Sequence, residues 1–292
     1  MSSKKESTGT SSSSPVKPVL VALDQHTSSM ELPASNLRVV YLNQPQKNIG
    51  FAGNQVVTAK YNAWTFVPAF CYERFTQVSN FYFLLVGIGQ VIPAITSTFG
   101  LPYSWSVDIS NMILLVLGLV LFVDAIFTGV EDFHRHAADA VMNARETRVF
   151  DPTLPTSFRQ TTWKDIVVGD VLQIKKYEAV PADMLLLAVH ETDPSAPVGM
   201  CFIETKSLDG ETNLKIRQAL PCTFAQLHDP ASIGHLPGRV ACEHPNHDVN
   251  NFMGRFEPGD DASVIPLDLK NVVLRGCVIR NTPFVYGLVL NT

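Results

Sequence analysis

Two long apolar runs constrain this chain more than anything else in it. "VSNFYFLLVGIGQVIPAI" fills residues 78–95 without a single charge, and "ISNMILLVLGLVLFVDAIFTGV" fills residues 109–130 with Asp124 as its only one. A helix crosses the hydrocarbon of a bilayer in about 20 residues, whereas a helix buried in a globular core seldom stays apolar on every face for so long. The two runs therefore predict a pair of transmembrane helices, over residues 75–95 and 109–130. The connector between them, "TSTFGLPYSWS", has no Lys or Arg. Lys60 and Arg74 lie ahead of the first run, and Arg135, Arg145 and Arg148 follow the second. Basic residues favour the cytosolic side, so the helices should form a hairpin with both chain ends in the cytosol. Tyr103 and Trp105 suit an aromatic belt on the outer side.

The rest of the chain has a different character. "MSSKKESTGTSSSSPVKP" opens a Ser/Thr-rich tail with no apolar signal-peptide core, and residues 1–35 are expected to be disordered. A cytosolic segment, residues 36–74, leads into the first span and is expected to contribute to the cytosolic domain that follows the second. After the second, "EDFHRHAADAVMNARETRVF" reads as a helix that continues into the cytosol and then becomes a strand. Short apolar runs follow ("SFRQTTW", "DVLQI", "ADMLLLAV", "MCFIET"), punctuated by "VGD" and "VPAD". Runs so short and closely spaced predict a compact β-sandwich or jelly roll of roughly 130 residues. The polar stretch over residues 221–261 reads as an insertion loop within a cytosolic domain that occupies residues 131–292. Strand-like sequence returns in "NVVLRGCVIRNTPFVYGLVLNT", with which the sequence stops.

Composition excludes little else. A net charge of -5 with scattered Lys and Arg argues against nucleic-acid binding. Five cysteines, none in a CxxC pair, fit reduced thiols better than a disulfide framework. Cys222, His228, His235, Cys242, His244 and His247 lack the paired spacing of a zinc site, and no bound metal is expected.

One turn carries chemistry. In "SLDGETNLKIRQ", Asp209 and Glu211 flank Gly210 on a tight bend after an apolar strand. "VGDV" from Val168, "VPAD" from Val180 and "DGET" from Asp209 follow one another in the order and spacing of the actuator domain of P-type ATPases. The Asp-Gly-Glu-Thr form, where most ion pumps have Thr-Gly-Glu-Ser, resembles the type-four branch, the phospholipid flippases. "SLDGETNLKIRQAL", "RVACEHPN", "LRGCVIRNT", "TAKYNAWTFVP" and "EDFHRHAAD" are similar to that branch as well. The resemblance covers residues 38–292.

It implies a membrane protein with a two-helix transmembrane hairpin and a mainly-β, jelly-roll-like cytosolic actuator domain. It implies ATP-driven movement of phospholipid from the exoplasmic to the cytosolic leaflet, with ATP and Mg2+ bound by domains other than these. In the family the acidic turn acts on an aspartyl-phosphate in an Asp-Lys-Thr-Gly-Thr motif, and this sequence contains no such motif. The chain is thus expected to be the N-terminal part of a flippase, inactive by itself. Its expected partners are the phosphorylation and nucleotide-binding domains, a two-span accessory (beta) subunit, the phospholipid and the membrane, that of the cell surface or of Golgi and endosomes.

The resemblance makes Glu211 the residue that orients water and accepts its proton during hydrolysis. Gly210 lets the turn approach the phosphate, and Asp209 and Thr212 shape it through hydrogen bonds to backbone. Near the outer end of the first span, flippases often carry Gln-Gln or Gly-Ala. This chain has Gly89 and Gln90, a pairing that matches neither, and these two are the first candidates for headgroup contact. Asn80 and Asn111 are weaker candidates of the same kind. Asp124 is expected to be structural. The family usually has a Lys and an acidic residue slightly later, where this chain has Phe127 and Thr128. Two other readings compete: a non-enzymatic, membrane-anchored regulatory or binding protein derived from a flippase, and the actuator of a cation pump.

Overall fold

The computed structural model describes residues 37–92, 103–154, 157–191, 198–227, 229–246, 248–259 and 263–292. The expected tail, part of the connector between the apolar runs, His228 and His247 lie outside the described residues, as do the side chains of Gln90 and Asn111.

Among the described residues, three α-helices lie between the first strand of the β domain, β1 (Arg38–Tyr41), and the rest of that domain. The first apolar run does not begin a helix at residue 75 as expected. Helix α1 (Phe66–Thr76) ends first, Gln77 takes an extended conformation (φ −69°, ψ 124°), and α2 (Val78–Val91) starts afresh. The end of α2 has a local cause. Ile92 is extended (φ −84°, ψ 114°), because the ring of a following proline, here Pro93, crowds the helical conformation of the residue before it. The second run lies inside one continuous helix, α3 (Tyr103–Asn143), of 41 residues. At 1.5 Å per residue it is about 60 Å long, twice the hydrocarbon thickness of a bilayer. Within it, Met112–Asn143 is long and apolar enough to cross a membrane, while α2 is a shorter apolar helix. The two pack closely at Gly87, where a Cβ would lie 2.6 Å from Leu114 Cδ2; a larger residue there would push the helices apart.

The far end of α3 holds the segment that leads into α1. Asn143 exchanges two 2.8 Å hydrogen bonds with the Val56 backbone. Asp139 accepts from the Thr58 amide at 2.7 Å, the Thr58 hydroxyl at 2.6 Å and the Ala59 amide at 3.0 Å. Asp132 accepts from the Lys60 amide at 2.8 Å, and His136 Nε2 lies 2.8 Å from the Tyr61 carbonyl oxygen. Residues 132, 136, 139 and 143 share one helix face, so an irregular strand is satisfied by side chains instead of by a sheet. The Thr58 hydroxyl and the two amides hold the Asp139 carboxyl below its ordinary value.

The domain that follows is mainly β. β2 (Glu146–Phe150), β3 (Phe158–Thr162), β4 (Val171–Lys175), β5 (Asp183–His190), β11 (Val272–Val273) and β13 (Phe284–Asn291) form a six-stranded sheet in the order β11-β5-β13-β4-β2-β3. β6 (Met200–Glu204), β7 (Leu214–Gln218) and β12 (Val278–Arg280) form a three-stranded sheet with β6 in the middle. The third sheet joins β1 (Arg38–Tyr41), β8 (Arg239–Cys242), β9 (Gly254–Glu257) and β10 (Ile265–Leu267) in that order. Alternation along β5 explains the layering. Leu185 and Leu187 pack into a core shared with β1, β8 and β9, whereas Met184 and Leu186 pack into a second core with Ile203 and Ile279. A strand covered on both faces reads as a continuous apolar run, which is why "ADMLLLAV" shows no alternation.

The stretch expected to be an insertion loop carries regular structure. Residues 221–261 include β8 and β9, a 3-10 turn over Pro230–His235 and a short helix over Pro221–Phe224. Ile233, Val240 and Phe256 from this stretch are among the most buried residues of the molecule. Its polar appearance arises because each strand is only four residues long and the residues between them are polar.

Candidate functional site: an acidic turn at a hairpin tip

β6 and β7 pair antiparallel, with Glu204 opposite Leu214 and Ile203 opposite Lys215. The acidic turn is the link between them. Thr205 leaves β6, a single helical turn covers Lys206–Asp209, and Gly210 closes it at φ 75°, ψ −2°. That left-handed conformation disfavours residues with a Cβ, and no atom lies within 4 Å of where a Cβ would be. Gly210 is therefore needed for the backbone path, and the tip it forms projects into open space. The base of the turn is tied down: Ser207 Oγ donates to the Gly276 carbonyl at 2.8 Å, and Arg280 meets Glu204 at 2.5 Å.

The two carboxylates are held differently. Asp209 accepts from the buried Thr205 hydroxyl at 3.0 and 2.9 Å, from the Glu211 amide at 2.9 Å and from Lys215 Nζ at 2.6 Å. Its side chain is 21% exposed. Lys215 above all, then the Glu211 amide and the Thr205 hydroxyl, hold its carboxyl down to about 2. The Glu211 side chain is 57% exposed and, among the described residues, pairs with Lys215 at 3.1 Å. The Lys215 ammonium is pushed up by both carboxylates, Asp209 first. Asp209 is thus bound into the turn, and Glu211 presents the more exposed carboxylate, paired with Lys215. Thr212, expected to help shape the turn, makes no side-chain hydrogen bond to any described residue.

Lys215 was not among the residues singled out in the sequence. The signal was its place four residues after Glu211, but only the β6–β7 register and the turn at Gly210 bring it to both carboxylates. Lys215→Met should raise the Asp209 pKa toward the ordinary carboxylate value of about 3.9. Because the folded-state value lies below the unfolded one, the stabilisation from this contact is present above about pH 4 and is lost as pH falls toward 2. A carboxyl NMR titration of both proteins would measure this. An Asp209 still titrating near 2 in the variant would mean that Lys215 is not the cause.

Of the lipid-contact candidates, Asn80 and Gly89 stand apart. Asn80 Nδ2 donates to the Arg74 carbonyl at 3.0 Å and to Gln77 Oε1 at 3.1 Å, bracing the break between α1 and α2. Its groove between α2 and α3 is lined by Phe83, Met112, Ile113 and Val116. Gly89 and Gln90 lie near the other end of α2, more than two helical turns away. Asp124 pairs with Arg74, Nε to Oδ2 at 2.6 Å and Nη2 to Oδ1 at 3.1 Å, and Arg74 also reaches the Thr128 hydroxyl at 3.4 Å. The lone charge of the second apolar run is thus matched by a cation from α1. Among the described residues, no three His, Cys, Asp or Glu side chains are grouped to hold a metal ion.

With this geometry in hand, similarity to known proteins is informative. A family model described as "Phospholipid-translocating ATPase N-terminal" matches residues 40–103. Human phospholipid-transporting ATPase IK is 42% identical over 237 residues, which are 81% of this chain and 17% of that protein. Human phospholipid-transporting ATPase ID is 38% identical over 240 residues, 82% of this chain and 18% of that protein. Phospholipid-transporting ATPase 6 of Arabidopsis thaliana is 38% identical over 260 residues, 87% of this chain and 19% of that protein. The chain spans less than a fifth of the length of these relatives.

Proposed function

The chain belongs to the type-four P-type ATPases, and from that premise we propose that it supplies the first membrane hairpin and the actuator of an ATP-driven phospholipid translocase. In this reading α2 and α3 are the hairpin, the β domain is a jelly-roll-like actuator, and Glu211 serves the hydrolysis of an aspartyl-phosphate. The observation that carries it is the division of labour at the hairpin tip. Asp209 is locked into the turn, while Glu211 is exposed on a projecting loop with one ionic partner. A water molecule between such a carboxylate and an acyl phosphate can be oriented and relieved of its proton as it attacks phosphorus. The phosphorylated aspartate, ATP and Mg2+ belong to domains outside these residues, and the chain by itself neither forms a phosphoenzyme nor hydrolyses ATP.

The continuity of α3 gives the actuator its grip. One helix runs from the apolar region to the edge of β2, and its far end clasps the segment leading into α1. A rotation of the β domain would pull on both strands of the connection at once. The regulatory-protein reading has no observation of its own in its favour, and the relatives named above are lipid transporters, which disfavours the cation pump.

The test is a chimera in which residues 38–292 replace the matching part of a phospholipid-transporting ATPase co-expressed with its accessory subunit. Lipid-stimulated ATP hydrolysis in the chimera supports the reading; a correctly inserted, folded and inert chimera counts against it. In that chimera Gln90→Ala should alter which headgroup is moved more than the turnover with the best lipid, since it removes two donors and one acceptor near the headgroup layer. Unchanged preference in a transport assay would remove Gln90 from the substrate path.

Topology is tested separately. A cysteine introduced at Ser104 should react with an impermeant reagent from the exoplasmic side, and one at Lys206 only after permeabilisation. The reverse pattern would refute the hairpin. The native Cys201 cannot serve as the cytosolic reporter, because it is fully buried.

A further inference from the structure

Helix α1 is apolar on two opposite faces, and only one of them has a partner. Phe66, Ala69 and Phe70 turn inward: Phe66 stands edge-on to Tyr61 and within contact range of Gly129. Glu73, at the rim of this face, takes Lys60 Nζ at 2.5 Å and the Tyr61 hydroxyl at 2.6 Å. Val67, Pro68, Cys71 and Tyr72 repeat at three- and four-residue spacing on the other side, with Trp64 in the turn just ahead of the helix, and all five are exposed. Trp64 is 93% exposed, more than any other large apolar residue described. The only charges on α1, Glu73 and Arg74, are paired with Lys60 and Asp124, and the outer stripe itself has none. A helix facing water ordinarily does the opposite.

The depth of this stripe follows from contacts to α3. Phe66 is level with Gly129, and Arg74 with Asp124 and Thr128. On α3 that same level is marked by Phe127 and Val130, both exposed, just before the apolar run gives way to Glu131 and Asp132. The outer stripe of α1 therefore lies at the level where the exposed apolar surface of α3 ends.

We infer that α1 is an interfacial helix, seated with Trp64, Val67, Cys71 and Tyr72 in the headgroup–acyl boundary of the cytosolic leaflet. Aromatic rings with a polar edge are suited to that layer, and an apolar face lying in the plane of the membrane needs no charge to hold it there. The occupant is the bilayer itself, in preference to a second copy of the chain or another protein segment, because the stripe lies at the level where α3 presents its own apolar surface. The inference rests on reading α2 and α3 as membrane-spanning.

Cys71 supplies the probe, being the one fully accessible cysteine of the five; Cys201, Cys242 and Cys277 are buried and Cys222 is half-buried. The full chain carrying Cys222→Ser is spin-labelled at Cys71 in phosphatidylcholine nanodiscs, and collisions with oxygen and with a water-soluble nickel chelate are compared. Labels at Phe127→Cys and Glu131→Cys, each in a Cys71→Ser background, mark the lipid and water levels. The Cys71 label should favour oxygen severalfold more than the Glu131 label does and approach the Phe127 value. Nickel access at Cys71, or access to neither reagent, as when protein covers the stripe, overturns the inference. If Phe127 favours oxygen while Cys71 does not, the interfacial helix fails and the spanning pair stands. Nickel access at Phe127 removes both.

Discussion

Glu211→Gln, in a full-length enzyme carrying this segment, should leave phosphorylation by ATP intact and slow dephosphorylation by about a hundred- to ten-thousand-fold. That is the usual cost of losing a general base, on the order of 3 to 5 kcal/mol of barrier. The substitution keeps the size of the side chain and an oxygen to face Lys215, but an amide cannot take a proton from water. Phosphoenzyme should accumulate, and the transported lipid should no longer discharge it. Asp209→Asn should do less. Its role is to accept from the Glu211 amide and the Thr205 hydroxyl, and the remaining carbonyl oxygen of asparagine can still accept. Pulse–chase labelling with radioactive ATP measures each decay rate. A Glu211→Gln enzyme that loses its phosphate at the parental rate would end the proposed role of the turn, whatever lipid is moved.

Phe256→Ala should destabilise the β domain by about 3 to 5 kcal/mol, the cost of emptying a large aromatic site in a packed core. The ring is 1% exposed and fills the space over Gly238, where a Cβ would lie 2.9 Å from Phe256 Cζ. It joins the core with Val40, Leu42 and Val240. Against a typical domain stability of roughly 5 to 15 kcal/mol, such a loss is a large fraction. Denaturant unfolding followed by the fluorescence of Trp163, which packs in the other core, would measure it. Were residues 221–261 a surface insertion, a substitution there would cost less than about 0.5 kcal/mol. A value that small would mean that the third sheet contributes nothing to folding.

The two results address different reaches of the same chain. The catalytic proposal depends on an exposed tip whose geometry is local: Thr205, Gly210 and the start of β7 define it within ten residues. The stability of that tip depends on distant pairings. β6 is flanked by β7 on one side and by β12, more than seventy residues later, on the other. Arg280 of β12 secures Glu204 at the base of the turn. A change far from the acidic motif can therefore disturb it.

What the sequence determined by itself were the features set by composition over a short window. The uncharged runs specify apolar helices, since charge and hydropathy act residue by residue. The short runs between Gly and Pro specify strands, because side chains alternate along a strand and turns require particular backbone angles. The Asp-Gly-Glu-Thr motif specifies a left-handed turn at Gly210, where only glycine is free of strain. The tertiary structure decided what depends on contacts between distant residues. It broke the first apolar segment at Gln77, where Asn80 braces the junction, and made residues 221–261 into strands that close a core against β1 and β5. It matched Asp124 to Arg74, fifty positions away, and laid residues 56–61 along one face of α3. It also separated the roles of two carboxylates that look equivalent in a string of letters. Lys215 reaches both because β7 returns alongside β6, and Asp209 is bound into the turn while Glu211, paired with Lys215, stays the more exposed of the two. Long-range ion pairs and buried strand edges are properties of register and of which surfaces meet, and no local window of residues contains either.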